Sequence, residues 1–168
     1  MRLMPLALAL ALSAAALSAA PVAPHVRAQS FEQLGKPLPL PYAETANADA
    51  AVAAAKARAL RTHKRLLIDL GGNWCLDCRL LAGTMELPEL RTFVAKHYEV
   101  VTVNIGRFDK NGQIAAHYGS PGRLAGVPAV LIVDPRTDRL VNKGHETALA
   151  DARSLTPQAL ADWLAQWA

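Results

Sequence analysis

Apolar and polar positions alternate along the 168-residue chain in a way that predicts a leader, a lead-in and a series of strands and helices. Residues 3–17 form an apolar run rich in leucine and alanine. Residues 29–42 hold Pro37, Pro39 and Pro41 and predict an extended lead-in without stable helix, because proline lacks the N–H that a helix needs. Asn47 is placed to cap an alanine-rich helix reaching about Arg61, with Asp49 adding negative charge to its first turn. Its Lys56, Arg58 and Arg61 read as a solvated basic face.

Residues 66–70 predict a short buried strand. From Cys75 a helical pattern runs through Leu80 and Leu81 to about Met85, and Pro88 opens a second helix to about His97 with Leu90, Phe93 and Val94 inward. Residues 100–105 are a β-branched strand, and residues 113–118 a short helix. Residues 129–133 and 140–143 predict two strands joined by the turn Asp134-Pro135-Arg136-Thr137-Asp138. Thr156 caps a last helix with Pro157 at its first position and Leu160, Trp163, Leu164 and Trp167 as its buried stripe. Strands alternating with helices predict a single α/β domain.

Arg2 before the apolar run, and small residues after it, make residues 1–28 a secretory signal peptide. The run is shorter than the ~20 residues a membrane span needs. Cuts after Ala20 and after Ala28 both fit the small-x-small rule. The second is preferred, because Pro21 would directly follow the earlier cut. Export to an oxidising compartment, the bacterial periplasm, follows. Removing Arg2 and Arg27 lowers the net charge from +4 to +2, so the basic balance partly belongs to the leader and no nucleic-acid partner is implied.

The two cysteines are Cys75 and Cys78, set after Gly71-Gly72-Asn73-Trp74 and at the start of the helical pattern. Two intervening residues in a first helical turn bring the sulfurs close enough to form a disulfide. The helix N-terminus favours the thiolate of the first. A structural staple is disfavoured because so short a loop restricts the unfolded chain little. A zinc site wants four ligands, and His25, His63, His97, His117 and His145 are all widely separated. A redox-active dithiol is the reading that remains strongest.

The strand ending in Asp69, Trp74-Cys75-x-x-Cys78 and the triplet Gly126-Val127-Pro128 before a strand together resemble the thioredoxin superfamily, from about Asn47 to the C-terminus. The alanine-rich helix leading into Lys64-Arg65 resembles the C-terminal domain of the DsbD-type thiol reductases. The resemblance implies a thioredoxin fold over residues 47–168, with a central mixed sheet flanked by helices and residues 29–46 as its lead-in. It implies Cys75 as attacking thiolate, Cys78 as resolving thiol and Asp69 as a buried acid that moves a proton to or from Cys78. Trp74 would screen the loop, and a cis Pro128 would leave the backbone of Val127 free to pair with substrate.

Leu76-Asp77 stand where thioredoxins carry Gly-Pro, so both are expected to tune the redox couple. Asp77 would oppose the helix dipole, raise the thiolate pKa and make the couple more reducing. The expected function is thus exported thiol-disulfide exchange with protein substrates, in the reductase direction. No bound cofactor or metal is needed, a membrane or exported electron donor recharges the dithiol, and the protein is expected to be a monomer. The alternative is a non-catalytic binding module or copper metallochaperone using the same cysteines, with Met85 as a third ligand if it turns back toward the sulfurs.

Overall fold

The computed structural model describes residues 20–168. The apolar core of the leader, residues 3–17, lies outside the described residues. Strand β1 (Arg65–Gly71) is the axis of the domain, with all but its first residue buried. Burial on both faces explains its nearly continuous apolar sequence. Leu66, Ile68 and Leu70 pack on one face against Val52, Ala55 and Ala59 of α1 (Ala48–Thr62). Leu67 packs on the other against Leu81 of α2 (Leu76–Met85), Leu90 of α3 (Pro88–His97) and Leu160 and Leu164 of α5 (Pro157–Gln166).

The sheet is four-stranded, in the order β2 (Tyr98–Asn104), β1, β3 (Ala129–Asp134), β4 (Arg139–Leu140). The β1–β2 pair is parallel and the two others are antiparallel, so the sheet is mixed. A short α4 (Gly112–His117) follows β2. The caps form as their residue types dictate: Asn47 Oδ1 accepts from the Ala50 N–H at 3.0 Å, and Thr156 Oγ1 from the Ala159 N–H at 3.1 Å.

Two local expectations change. The second hairpin strand stops at Leu140, because the Asn142 side chain takes over the pairing beyond it. Its Oδ1 accepts from the Ile132 N–H and its Nδ2 donates to the Val130 carbonyl, both at 2.8 Å. Trp163 of α5 and Trp167 just after it are only half-buried, while Ala161 and Ala165 are buried with Leu160 and Leu164.

The lead-in is part of the folded structure. After a 3-10 turn (Phe31–Gln33), Leu34 and Leu38 pack on Leu80 of α2, and Tyr42 is buried. A proline-rich chain makes few backbone hydrogen bonds of its own, and here side chains supply them. Arg79 of α2 donates to the carbonyls of Leu38 and Pro39, and Thr102 of β2 donates to that of Pro41. Farther back, Val26 is buried, and its N–H donates to Gln158 Oε1 at 2.8 Å.

Candidate active site

The glycine turn after β1 delivers Cys75 to the N-cap position of α2, where its sulfur accepts a hydrogen bond from the Cys78 N–H at 3.2 Å. Both cysteines are free thiols, Cys78 fully buried and Cys75 nearly so. The Cys78 thiol, donating toward the Cys75 sulfur, is the largest influence on Cys75. Burial opposes it, and the Cys78 N–H at the helix start assists it. The outcome is a Cys75 pKa lowered to about 7. Cys78 is pushed up, first by that same interaction with Cys75 and then by burial. The pair is therefore divided into one sulfur ready to ionise and one that holds its proton.

Beneath the sulfurs lies Asp69, fully buried on β1 and raised to about 7, above all by burial. The Tyr42 hydroxyl donates to Asp69 Oδ2 at 2.8 Å, while Oδ1 accepts no hydrogen bond from the described residues. Tyr42 holds its own proton strongly, through burial first and the neighbouring Asp69 charge second. Gly71 is what lets these groups meet. A Cβ there would lie 2.5 Å from the Tyr42 hydroxyl oxygen and 2.8 Å from Cys78 Sγ, so the hydroxyl and the sulfur occupy the two sides of one side-chain-free spot. Asn73 holds Tyr42 in place from the active-site loop: its Oδ1 accepts from the Tyr42 N–H and its Nδ2 donates to the Tyr42 carbonyl, at 3.1 and 2.8 Å.

Val127 and Pro128 stand on the other side of Cys75. The Val127–Pro128 peptide is cis, and the Cys75 thiol donates to the Val127 carbonyl at 3.5 Å. Trp74 donates its indole N–H to the Gly106 carbonyl at 2.7 Å, which spreads the ring over the loop after β2 and leaves it partly exposed. Leu76 also remains partly exposed beside Cys75.

Asp77 is held by a partner that its sequence position does not announce. Its carboxylate is buried and gripped by Arg153, whose backbone N–H and Nε donate to Oδ1 at 2.9 and 3.0 Å and whose guanidinium also reaches Oδ2. Burial alone would raise this carboxyl; the Arg153 contacts outweigh it and hold the group below its ordinary range. Asp77 still acts against the Cys75 thiolate, but more weakly than the Cys78 thiol acts for it. Asp77 thus raises the Cys75 pKa as its charge predicts, and the net fall comes from the Cys78 thiol and N–H.

Tyr42, Asn73 and Arg153 are the site residues that sequence reasoning misses. Tyr42 had one weak signal, as the aromatic closing the Pro37-Pro39-Pro41 run. Arg153 had none. Met85 ends α2 and packs into the core cluster with Leu81 and Leu90, at the opposite end of the helix from the sulfurs. Among the described residues no three histidine, cysteine or acidic side chains cluster as a metal site.

A family model described as thioredoxin-like matches residues 47–135. The chain belongs to the thioredoxin-like family. Among solved structures, this thioredoxin-like protein is 37% identical to a disulphide isomerase from Xylella fastidiosa Temecula1, with a TM-score of 0.70 over 77% of this chain and 97% of that one. A protein of unknown function from Pseudomonas aeruginosa is 20% identical, over 72% of this chain and 84% of that one, at a TM-score of 0.40 too low to bear on function. No curated protein matches the chain. The thioredoxin-like fold with its close Cys75 and Cys78 pair fits a thiol-disulfide oxidoreductase.

Proposed function

We propose that this protein is an exported reductase of protein disulfides. The observation that carries the reading is the divided pair: a Cys75 sulfur at a helix N-cap with its pKa lowered to about 7, next to a buried Cys78 that keeps its proton. A thiol whose pKa lies near ambient pH is close to the optimum for attack on a disulfide.

In the forward direction the Cys75 thiolate attacks one sulfur of the substrate disulfide, and the other leaves as a thiolate. Cys78 then gives up its proton and attacks Cys75 Sγ, releasing the second substrate thiolate and leaving a Cys75–Cys78 disulfide. Two electrons pass from the dithiol to the substrate. Asp69, with a pKa near 7 and an unoccupied Oδ1, accepts the Cys78 proton in this reading, and Tyr42 fixes the carboxylate from its other oxygen. The chemistry requires no bound cofactor. The substrate chain pairs with the Val127 backbone.

The reducing direction is supported by the size of the Cys75 shift. A thiolate stabilised only to about 7 resembles reducing couples, whereas strong oxidants hold theirs near 3.5. The likeness to the C-terminal domain of DsbD-type reductases belongs to the same reading, as does an exported or membrane electron donor that recharges the dithiol. Export itself rests on the leader, and the burial of Val26 favours the cut after Ala20 over the cut after Ala28.

Two measurements test the proposal. The reduction potential of the Cys75/Cys78 couple is expected close to about −270 mV, and a value near about −120 mV would make the protein an oxidant instead. Cys78→Ser is expected to trap a mixed disulfide with substrate, while Cys75→Ser abolishes exchange. Equal trapping by both variants would remove the division of roles.

A further inference from the structure

Cys75 is nearly buried, so a partner must be received by what surrounds it, and the surroundings have a definite chemistry. Trp74 is 41% exposed and Leu76 44% exposed, which places a large apolar side chain at the surface immediately before and immediately after the reactive cysteine. Phe108 extends the apolar ground, its ring 5.9 Å from that of Trp74. Over each aromatic ring lies an arginine: Arg107 sits 4.5 Å from the Trp74 ring centre and Arg123 4.1 Å from that of Phe108.

Stacking occupies the face of a guanidinium and leaves its edge N–H donors pointing outward, in the fork that matches a carboxylate. Neither Arg107 nor Arg123 makes an ion pair within 4.0 Å among the described residues. Arg153 adds a third exposed guanidinium beside α2, partly spent on Asp77. Two of the four acids in this region are not free to oppose the arginines. Asp77 is committed to Arg153, and Asp69 is buried beneath the sulfurs. Asp109 turns its Oδ1 to the backbone N–H of Arg107, and Asp151 is exposed near Arg153. An aromatic and arginine surface around an apolar centre is the composition of interaction hot spots.

We propose that this rim selects protein disulfides set in acidic segments, with Trp74 and Leu76 taking the apolar residues next to the substrate cysteine and Arg107 and Arg123 pairing with flanking carboxylates. The inference rests on the exchange activity proposed above and names its substrate class. Opposite charges also steer encounter, so the preference is expected mainly in the association step and to weaken with salt.

The test uses three disulfide peptides identical except for flanking residues, which are acidic, basic or neutral. Their reduction by the full dithiol protein is followed as kcat/KM. At about 20 mM ionic strength the acidic peptide is expected to react roughly tenfold faster than the basic one, with the ratio falling toward one at about 0.5 M salt. In the double variant Arg107→Glu/Arg123→Glu the order is expected to invert, the basic peptide gaining as the acidic one loses. A misfolded or merely slowed variant cannot speed up on one substrate. Equal wild-type rates for the acidic and basic peptides, or an order unchanged by the double substitution, would overturn the inference. No reduction of any of the three, the neutral one included, would instead overturn the exchange activity beneath it.

Discussion

The Tyr42 hydroxyl donates to Asp69 Oδ2 across 2.8 Å, joining a residue of the proline-rich lead-in to the one acid beneath the dithiol. Both groups are buried, and burial is the largest influence on each. The hydroxyl is the only influence that pulls the Asp69 pKa downward. The lead-in thereby moderates the proton affinity that burial gives the site.

Tyr42→Phe tests that link. Losing the donor leaves both carboxylate oxygens without a hydrogen bond, so the Asp69 pKa is expected to rise above its present value of about 7. The pH midpoint for resolution of the mixed disulfide should move upward with it. A stability loss of about 1–2 kcal/mol is expected from the unsatisfied buried acceptor. Stopped-flow release of substrate thiol across pH 5 to pH 9, roughly the span of this titration, reads the midpoint. A midpoint that stays put would reduce Tyr42 to packing.

Asp69→Asn carries a stability signature that follows from linkage. The folded pKa, about 7, lies above the ordinary carboxylate value of 3.8, so between these values the folded protein holds a proton that the unfolded chain has lost. The Asp69 contribution to wild-type stability therefore falls as pH rises from about 4 to 7, by up to about 4 kcal/mol. The amide removes this slope, so the variant is expected to gain on wild type as pH rises, while its resolving step slows. Urea unfolding of the reduced proteins at several pH values across that window gives the slope directly. Parallel curves for the two proteins would place the titration elsewhere.

What was legible in the sequence, and what was not, divides along contact distance. Cys75 and Cys78 declare themselves through a three-residue spacing and a helix start, and Asn47, Pro157 and Thr156 mark helix ends through local capping. Such signals depend only on neighbours in the chain. The partners that give the site its electrostatics act across the fold: Tyr42 reaches Asp69 over 27 residues, Asn73 reaches Tyr42 over 31, and Arg153 reaches Asp77 over 76. Asp77 shows the consequence. Its charge and its place in the first turn of α2 are readable, but how strongly that charge is felt depends on a guanidinium from a distant loop.

The packing of residues 20–28 predicts that a chain beginning at Gln29 is less stable than one beginning at Pro21. The shorter chain loses the buried Val26 side chain and the Val26 N–H donation to Gln158. Together these are expected to cost about 1–2 kcal/mol after the ordering of the segment is allowed for. Urea midpoints of the two chains measure the difference. Identical midpoints would show that this segment contributes nothing to the fold.

The Asp77–Arg153 pair leads to two substitutions with opposite effects on one sulfur. In Asp77→Asn the Arg153 guanidinium loses its counter-charge while remaining near Cys75, so the Cys75 thiolate should be further stabilised and the couple become more oxidising. In Arg153→Gln the Asp77 carboxylate loses the partner that neutralises it, so the Cys75 pKa should rise and the couple become more reducing. Arg153 is largely exposed, which screens both effects, and a change of roughly two- to fivefold in the Cys75 ionisation constant is expected. Ultraviolet thiolate titration and a glutathione redox equilibrium give independent readings. A purely structural pair would shift both variants the same way through loosening of the loop against α2, so movement of the two pKa values in opposite directions is the result that identifies charge as the cause.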